Sequence, residues 1–221
     1  MKVVFVGDPH GRVPDLINAI EQHHPDARAV CMVGDFDLQH PLDTYIEHLA
    51  MPVLYIPGNH DYGRVEYHDR LFQSQIAANL DGRSWQIEGL AIAGLGGHFV
   101  GKFWWPPEPP RYPSKAAYEA TLNSVKRSGI PESWRNGMPL RASAAIWPED
   151  LARLATQTAD VLVTHEAPTT HRHGFAALDQ LAEDLGARLI VHGHHHESYS
   201  DRINGIHVIG LAEAEIRAVE L

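Results

Sequence analysis

Five short polar clusters carry the residue types that hold metal ions and move protons. They are Gly7-Asp8-Pro9-His10-Gly11, Gly34-Asp35-Phe36-Asp37, Gly58-Asn59-His60-Asp61, an isolated His165, and Gly193-His194-His195-His196. Carboxylate, imidazole and carboxamide donors without a thiolate suit Mn, Fe, Zn or Co better than Ca or Mg. In extended backbone, residues two apart project to the same side, so Asp8 with His10 and His194 with His196 form candidate ligand pairs. By the same alternation His195 points away, and His192 and His195 are both expected to take supporting roles. The adjacent glycines permit close backbone approach or unusual backbone angles. Any one cluster alone is more often a strand-end polar group satisfied by backbone; the ordered set asks for a shared site.

The elements between the clusters would bring them together. Lys2–Val6, Ala29–Val33, Val53–Ile56, Val161–Thr164 and Leu189–Val191 are short apolar runs that read as buried strands. Helical patterns separate them, near 13–23, 42–49, 64–79, 148–155 and 175–185. Strands alternating with helices predict βαβ units and a mostly parallel sheet, whose carboxyl ends are where ligands bind. Each polar cluster follows one of these strands. Trp85–Ile87 and Leu90–Ala93, turning at Glu88-Gly89, read as a hairpin that marks a second sheet. Three short strands near 198–202, 206–209 and 215–220 are expected to close that second sheet. One domain over residues 1–221 is expected, with an irregular insert at about 95–145 rich in Gly, Pro and aromatics. A helix over 114–127 interrupts this insert.

Composition narrows the function classes. Lys plus Arg total 18 against 28 Asp plus Glu, a net charge of −10. That balance argues against extended nucleic-acid or anionic-membrane binding. The single cysteine, Cys31, lies inside a strand and reads as a small buried hydrophobe. No apolar run reaches the roughly 20 residues of a membrane span. A cytoplasmic setting and a small-molecule partner are expected; the oligomeric state is left open. The 16 histidines nearly match all the lysines and arginines together, which again directs attention to metal.

The ordered motifs Asp8-x-His10, Gly34-Asp35, Gly58-Asn59-His60-Asp61, His165 and Gly193-His194-x-His196 resemble the calcineurin-like metallophosphoesterase superfamily. The resemblance implies an α/β fold in which two mixed β-sheets pack as a sandwich flanked by α-helices, the four-layer α/β/β/α arrangement. It implies a hydrolase of phosphomonoesters or phosphodiesters with two divalent metal ions, and a metal-bridging hydroxide that attacks in line. Carried over by resemblance, Asp8, His10, Asp35 and His196 hold one ion, and Asp35, Asn59, His165 and His194 the other. His60 is then the proton donor to the leaving group, and Mn the ion expected to support activity in vitro.

The chain departs from the protein phosphatases of that superfamily, which continue the second motif to Gly-Asp-x-x-Asp-Arg-Gly. Here Asp37 comes one residue early and no arginine follows, so Asp37 and Asp61 are alternative partners for orienting His60. Within the insert, Trp104 and Trp105 are candidates for a substrate wall, with Lys102 and Arg111 for phosphate contacts. Two rival readings accompany the hydrolase: a non-catalytic scaffold on the same fold, and a nuclease acting on short oligonucleotides.

Overall fold

The computed structural model describes Met1–Leu221. Strand β1, Lys2–Val6, is an apolar run in which every residue after the lysine is buried. Such runs belong to strands covered on both faces. Helix α1, Val13–His23, starts with a proline in its first turn and turns Val13, Leu16, Ile17 and Ile20 inward at helical spacing. Strands β2 (Ala29–Met32) and β3 (Val53–Tyr55) extend the parallel sheet, and helix α2 (Asp43–Ile46) covers their outer face.

The helix expected over 64–79 is shorter. Helix α3 spans Val65–Phe72 and the chain then turns, because the Asp43 carboxylate takes the Ser74 hydroxyl and the Gln75 amide. Residues Ala78–Asn79 become β4, parallel to β3. The hairpin forms as expected but longer, β5 (Arg83–Ile87) against β6 (Leu90–Leu95).

The insert is more regular than its composition suggests. Helix α4 (Lys115–Thr121) is capped by Ser114, whose side chain accepts from the Ala117 amide. It stops where the Thr121 hydroxyl bonds back to the Tyr118 carbonyl, and α5 (Asn123–Ser128) follows, so the expected single helix is two. A small ribbon, β7 (Trp134–Arg135) with β8 (Met138–Pro139), leads into α6 (Leu140–Ser143). Phe103, Tyr118, Met138, Ala142, Ala145 and Trp147 give the segment its own apolar cluster. Its two ends are clasped: the His98 amide donates to the Ala144 carbonyl and the Ile146 amide to the His98 carbonyl, each at 3.0 Å. Gly97, at φ +76°, makes this approach possible.

Helix α7 (Pro148–Leu154), strand β9 (Val161–Thr164), helix α8 (Ala176–Leu185) and strand β10 (Leu189–His192) restore the alternation. Strands β11 (Tyr199–Ile203) and β12 (Ile206–Gly210) form the far edge of the second sheet. The last strand, β13 (Ile216–Glu220), corrects the sequence reading: it pairs antiparallel with β1 in the first sheet. The turn before it makes this crossing, with the Gly7 amide donating to the Glu215 carbonyl at 2.9 Å and the Ala214 amide to the Asp8 carbonyl at 3.1 Å.

The sheet orders are β13-β1-β2-β3-β4 and β11-β12-β10-β9-β6-β5. The inner faces share one core, in which Phe5, Cys31, Leu54 and Ile56 meet Ile92, Val163, Val191 and Ile209. Outside the first sheet lie α1, α2 and α3; outside the second lie α7 and α8. The result is the four-layer α/β/β/α sandwich. Burying each of these large side chains contributes about 1.5–3 kcal/mol, so a continuous core sets the strand ends firmly.

Candidate metal centre

The carboxyl ends of β1, β2, β3, β9 and β10 meet at one place, and the chain bends sharply there. Asp8 and His10 have φ of 25° and 41°, Asp35 and Asp37 55° and 50°, and His194 and His196 69° and 54°. The pairs two residues apart are therefore aimed by left-handed turns and not by extended backbone, which corrects the alternation argument. Non-glycine residues so placed each cost about 1–3 kcal/mol, a strain that persists where a site over-determines it. The loops also touch: a Cβ on Gly193 would stand 2.6 Å from the Asp8 carboxylate.

Two groups of donors face inward. In the first, His10 Nδ1 lies 2.8 Å from the Asp37 carboxylate, and its Nε2 lies 3.2 Å from Nε2 of His196. Asp8, wholly buried, accepts the His194 amide through Oδ2 at 2.8 Å and leaves Oδ1 without a partner. In the second, His165 Nδ1 donates to the Val33 carbonyl at 2.8 Å. Its Nε2 then faces Asn59 Oδ1 at 3.1 Å and Asp35 Oδ2 at 3.4 Å. Ligand atoms of Asp35, His165 and His194 lie within 4.8 Å of one another. The other Asp35 oxygen accepts the His60 amide at 2.8 Å.

These contacts test whether the donor set fits a cation. With their Nδ1 atoms committed to Val33 and Asp37, neutral His165 and His10 present lone pairs to carboxylate, carbonyl and imidazole acceptors. Lone pairs facing lone pairs repel unless something positive lies among them. Where no metal is present, a proton serves. Burial alone would push His165 down, but the carboxylates of Asp35 and Asp8 outweigh it and hold the imidazole up at about 10. Burial opposes the ionised form of Asp35 too, yet His165 and the His60 amide keep it below its ordinary value. Asp8 is pushed up to about 7 by burial. The residues present fit metal ions, and His165 binds a metal only as the neutral imidazole.

His60 sits at the rim, half exposed, with Nδ1 3.4 Å from the Asp37 carboxylate. Of the two alternatives, Asp37 alone reaches the His60 ring, and it is shared with His10. Asp61 does different work. Buried completely, it accepts the backbone amides of Asp35, Phe36 and Gly58 at 2.7–3.0 Å, pinning the second and third loops together.

Two cavities flank the centre and meet at His98. The larger, about 1020 Å³, is lined by Phe99, Trp104, Trp105 and Phe175 together with Glu166, Arg172, His194 and His195. The smaller, about 620 Å³, is lined by Asn59, His60, Arg64, Tyr67, Arg141 and Asp37. Trp104 and Trp105, the candidates for a substrate wall, line the larger of these cavities. Lys102 and Arg111 do not: both are exposed and line neither cavity. The Lys102 ammonium lies over the Phe103 ring instead, 5.8 Å from its centroid.

The sequence reading passed over Glu166, Arg64 and Arg141. Glu166 follows His165 directly, is buried, and places one oxygen 3.4 Å from His194 Nε2 with the other unpartnered. Its position next to the candidate ligand His165 was a usable signal. His192 bonds to the Tyr199 hydroxyl and supports the loop, whereas His195, expected to point away, stacks on His171 with ring centroids 4.0 Å apart, lines the larger cavity and places a ring nitrogen within 4.8 Å of ligand atoms of Glu166 and His194.

Known proteins agree with this arrangement. The family model for calcineurin-like phosphoesterases matches residues 1–198, a span that includes every polar cluster. An uncharacterized protein of Haemophilus influenzae (strain ATCC 51907 / DSM 11121 / KW20 / Rd) is 35% identical over 222 residues, covering 96% of this chain and 94% of that protein. Among solved structures, a dimetal phosphatase from Danio rerio superposes with a TM-score of 0.59 at 11% identity, covering 97% of this chain and 88% of that one. The phosphopantetheinyl hydrolase of Mycobacterium tuberculosis superposes with a TM-score of 0.57 at 16% identity, covering 99% and 95%. The distant structures share the fold, and the family match spans residues 1–198. The chain belongs to the calcineurin-like phosphoesterase family and is a metal-dependent phosphoesterase.

Proposed function

We propose that the protein hydrolyses small phosphate esters at a binuclear centre, with Asp35 shared between two divalent ions. Asp8, His10 and His196 complete one set of ligands; Asn59, His165 and His194 complete the other. The observation that carries this reading is the pair of inward lone-pair clusters at His10–His196 and His165–Asn59–Asp35, each with its hydrogen-bonding nitrogen already committed outward. Two divalent ions, of which Mn is the first to try, supply Lewis acidity and a nucleophilic water at neutral pH.

The chain's own residues do the rest. Asp37 fixes the His10 tautomer and holds the His60 ring at the rim, where His60 protonates the departing oxygen. Trp104 and Trp105 provide an apolar wall beside the reacting phosphorus and exclude water from it. Room on both sides of the centre accommodates a diester as readily as a monoester. A full set of donors with His60 in place disfavours the scaffold reading, and an acidic chain disfavours long nucleic acid over short oligonucleotides.

Elemental analysis of fully loaded protein should find two ions per chain, and Asp35→Asn should lower both occupancy and turnover. One ion per chain, or an Asp35→Asn protein with full turnover, overturns the binuclear reading.

A further inference from the structure

The two cavities differ in charge. In the larger one the guanidinium of Arg172 is 3.3 Å from the Glu197 carboxylate, and aromatic and apolar side chains make up most of the wall. In the smaller one Arg64 and Arg141 both line the space beside His60, and neither makes an ion pair or a side-chain hydrogen bond. Arg64 lies over the ring of Tyr67, 5.4 Å from its centroid, which directs the guanidinium without neutralising it. The one carboxylate there, Asp37, is already engaged by His10 at 2.8 Å and faces His60 at 3.4 Å. Two unneutralised guanidinium groups line one cavity of a chain whose net charge is −10. They offer the fork geometry that carboxylates and phosphates accept.

We infer that Arg64 and Arg141 form an anion subsite for the leaving group, so that the preferred substrate is a phosphate ester whose leaving alcohol carries a second phosphate or a carboxylate. The assignment rests on the hydrolase reading above, because His60 places the departing oxygen on this side. The scissile phosphoryl group sits at the centre, the leaving alcohol extends past His60 between the two arginines, and any second ester arm lies against Trp104 and Trp105. The departing oxygen takes its proton from His60, and the guanidinium groups keep their protons throughout. Their task is recognition.

Matched substrate pairs test this. Adenosine 5′-phosphate and adenosine 3′,5′-bisphosphate differ by a phosphate on the leaving group; glycerol 3-phosphate and 3-phosphoglycerate differ by a carboxylate. The wild-type protein should prefer the charged member of at least one pair in kcat/KM, and the pair that shows it tells phosphate from carboxylate. Arg64→Ala with Arg141→Ala should cut that preference by roughly tenfold, the scale of one charge-assisted contact, mainly through KM. Lysine at both positions should restore part of it. An equal loss on both members of each pair would mean that the arginines serve the scissile group or the loop, and an unchanged ratio would mean that they serve neither; either result overturns the subsite. If the wild-type protein turns over none of the four monoesters, the hydrolase reading narrows to diesters. Calorimetric binding of the same pairs to the same proteins still reads the preference, and equal affinity of the wild type for the members of each pair overturns the subsite independently.

Discussion

Asp37 illustrates how little sequence spacing says about a side chain's partners. Its carboxylate lies closer to His10 than to His60, at 2.8 against 3.4 Å, so one group sets the tautomer of His10 and steadies the His60 ring. His60 shares Asp37 with His10 but stands half exposed at the rim, outside the proposed ligand set. Its replacement by Gln should leave metal content near that of the wild type and lower turnover by about 10²–10⁴-fold for esters with poor leaving groups. Esters of very acidic alcohols should lose less, since their oxygen departs without a proton. A loss of the same size across a leaving-group series would remove His60 from the acid role. The ligand types were legible in the sequence because metals demand a small set of donors. Arg64 and Arg141 were not, because a guanidinium acquires its meaning only from the wall on which the fold places it.

At the scale of elements, the buried strands could be read from their continuous apolar runs, and the helix ends could not. Thr121 bonds back within its own turn, and Asp43 reaches from α2 to Ser74 and Gln75 after α3; each bond ends a helix, and no periodicity records that choice. The loops after β1, β2 and β10 also escaped the reading, since left-handed backbone at Asp8, Asp35 and His194 is held by tertiary contacts. Asp61 is the clearest of these contacts. Asp61→Asn would turn an amide toward backbone N–H groups that now meet a carboxylate. Leaving a buried donor unmatched costs about 1–3 kcal/mol, so thermal unfolding should come several degrees earlier. A transition at the wild-type temperature would show that this clamp contributes nothing. The insert makes a separate prediction. Trp104→Ala or Trp105→Ala should alter KM or substrate preference while elemental analysis still finds a full metal site. Wild-type kinetics on every ester would reduce the two rings to covers for Phe99 and Phe175, which they touch.

For the molecule as a whole, the buried charges make stability depend on pH and metal together. Asp8 and Glu166 are both raised to about 7, chiefly by burial, so the metal-free fold is penalised as pH climbs from their ordinary values near 4 toward 7. His165 is raised to about 10, so its contribution is complete below about 6.5 and is lost as pH rises through 10. Asp35 acts in the opposite sense, its contribution present above about 4 and lost only in acid. Metal ions need the ionised carboxylates and the neutral imidazole, so binding releases protons and strengthens with pH. The rise in melting temperature on adding Mn should therefore be larger at pH 8 than at pH 5. A rise that is flat, or larger in acid, would show that these groups are not coupled to metal binding.

The pairing of β13 with β1 also bears on how the chain comes to be folded. Strand β1 is made well before its partner, so one of its edges stays open until Ile216–Glu220 appear, and the Asp8 turn waits for Ala214 and Glu215. Contacts of such sequence separation form slowly, and an apolar strand with an unpaired edge invites association with other chains meanwhile. The vulnerable interval in the life of this protein is thus its synthesis, when the strand that carries the first proposed ligand has no partner on that side.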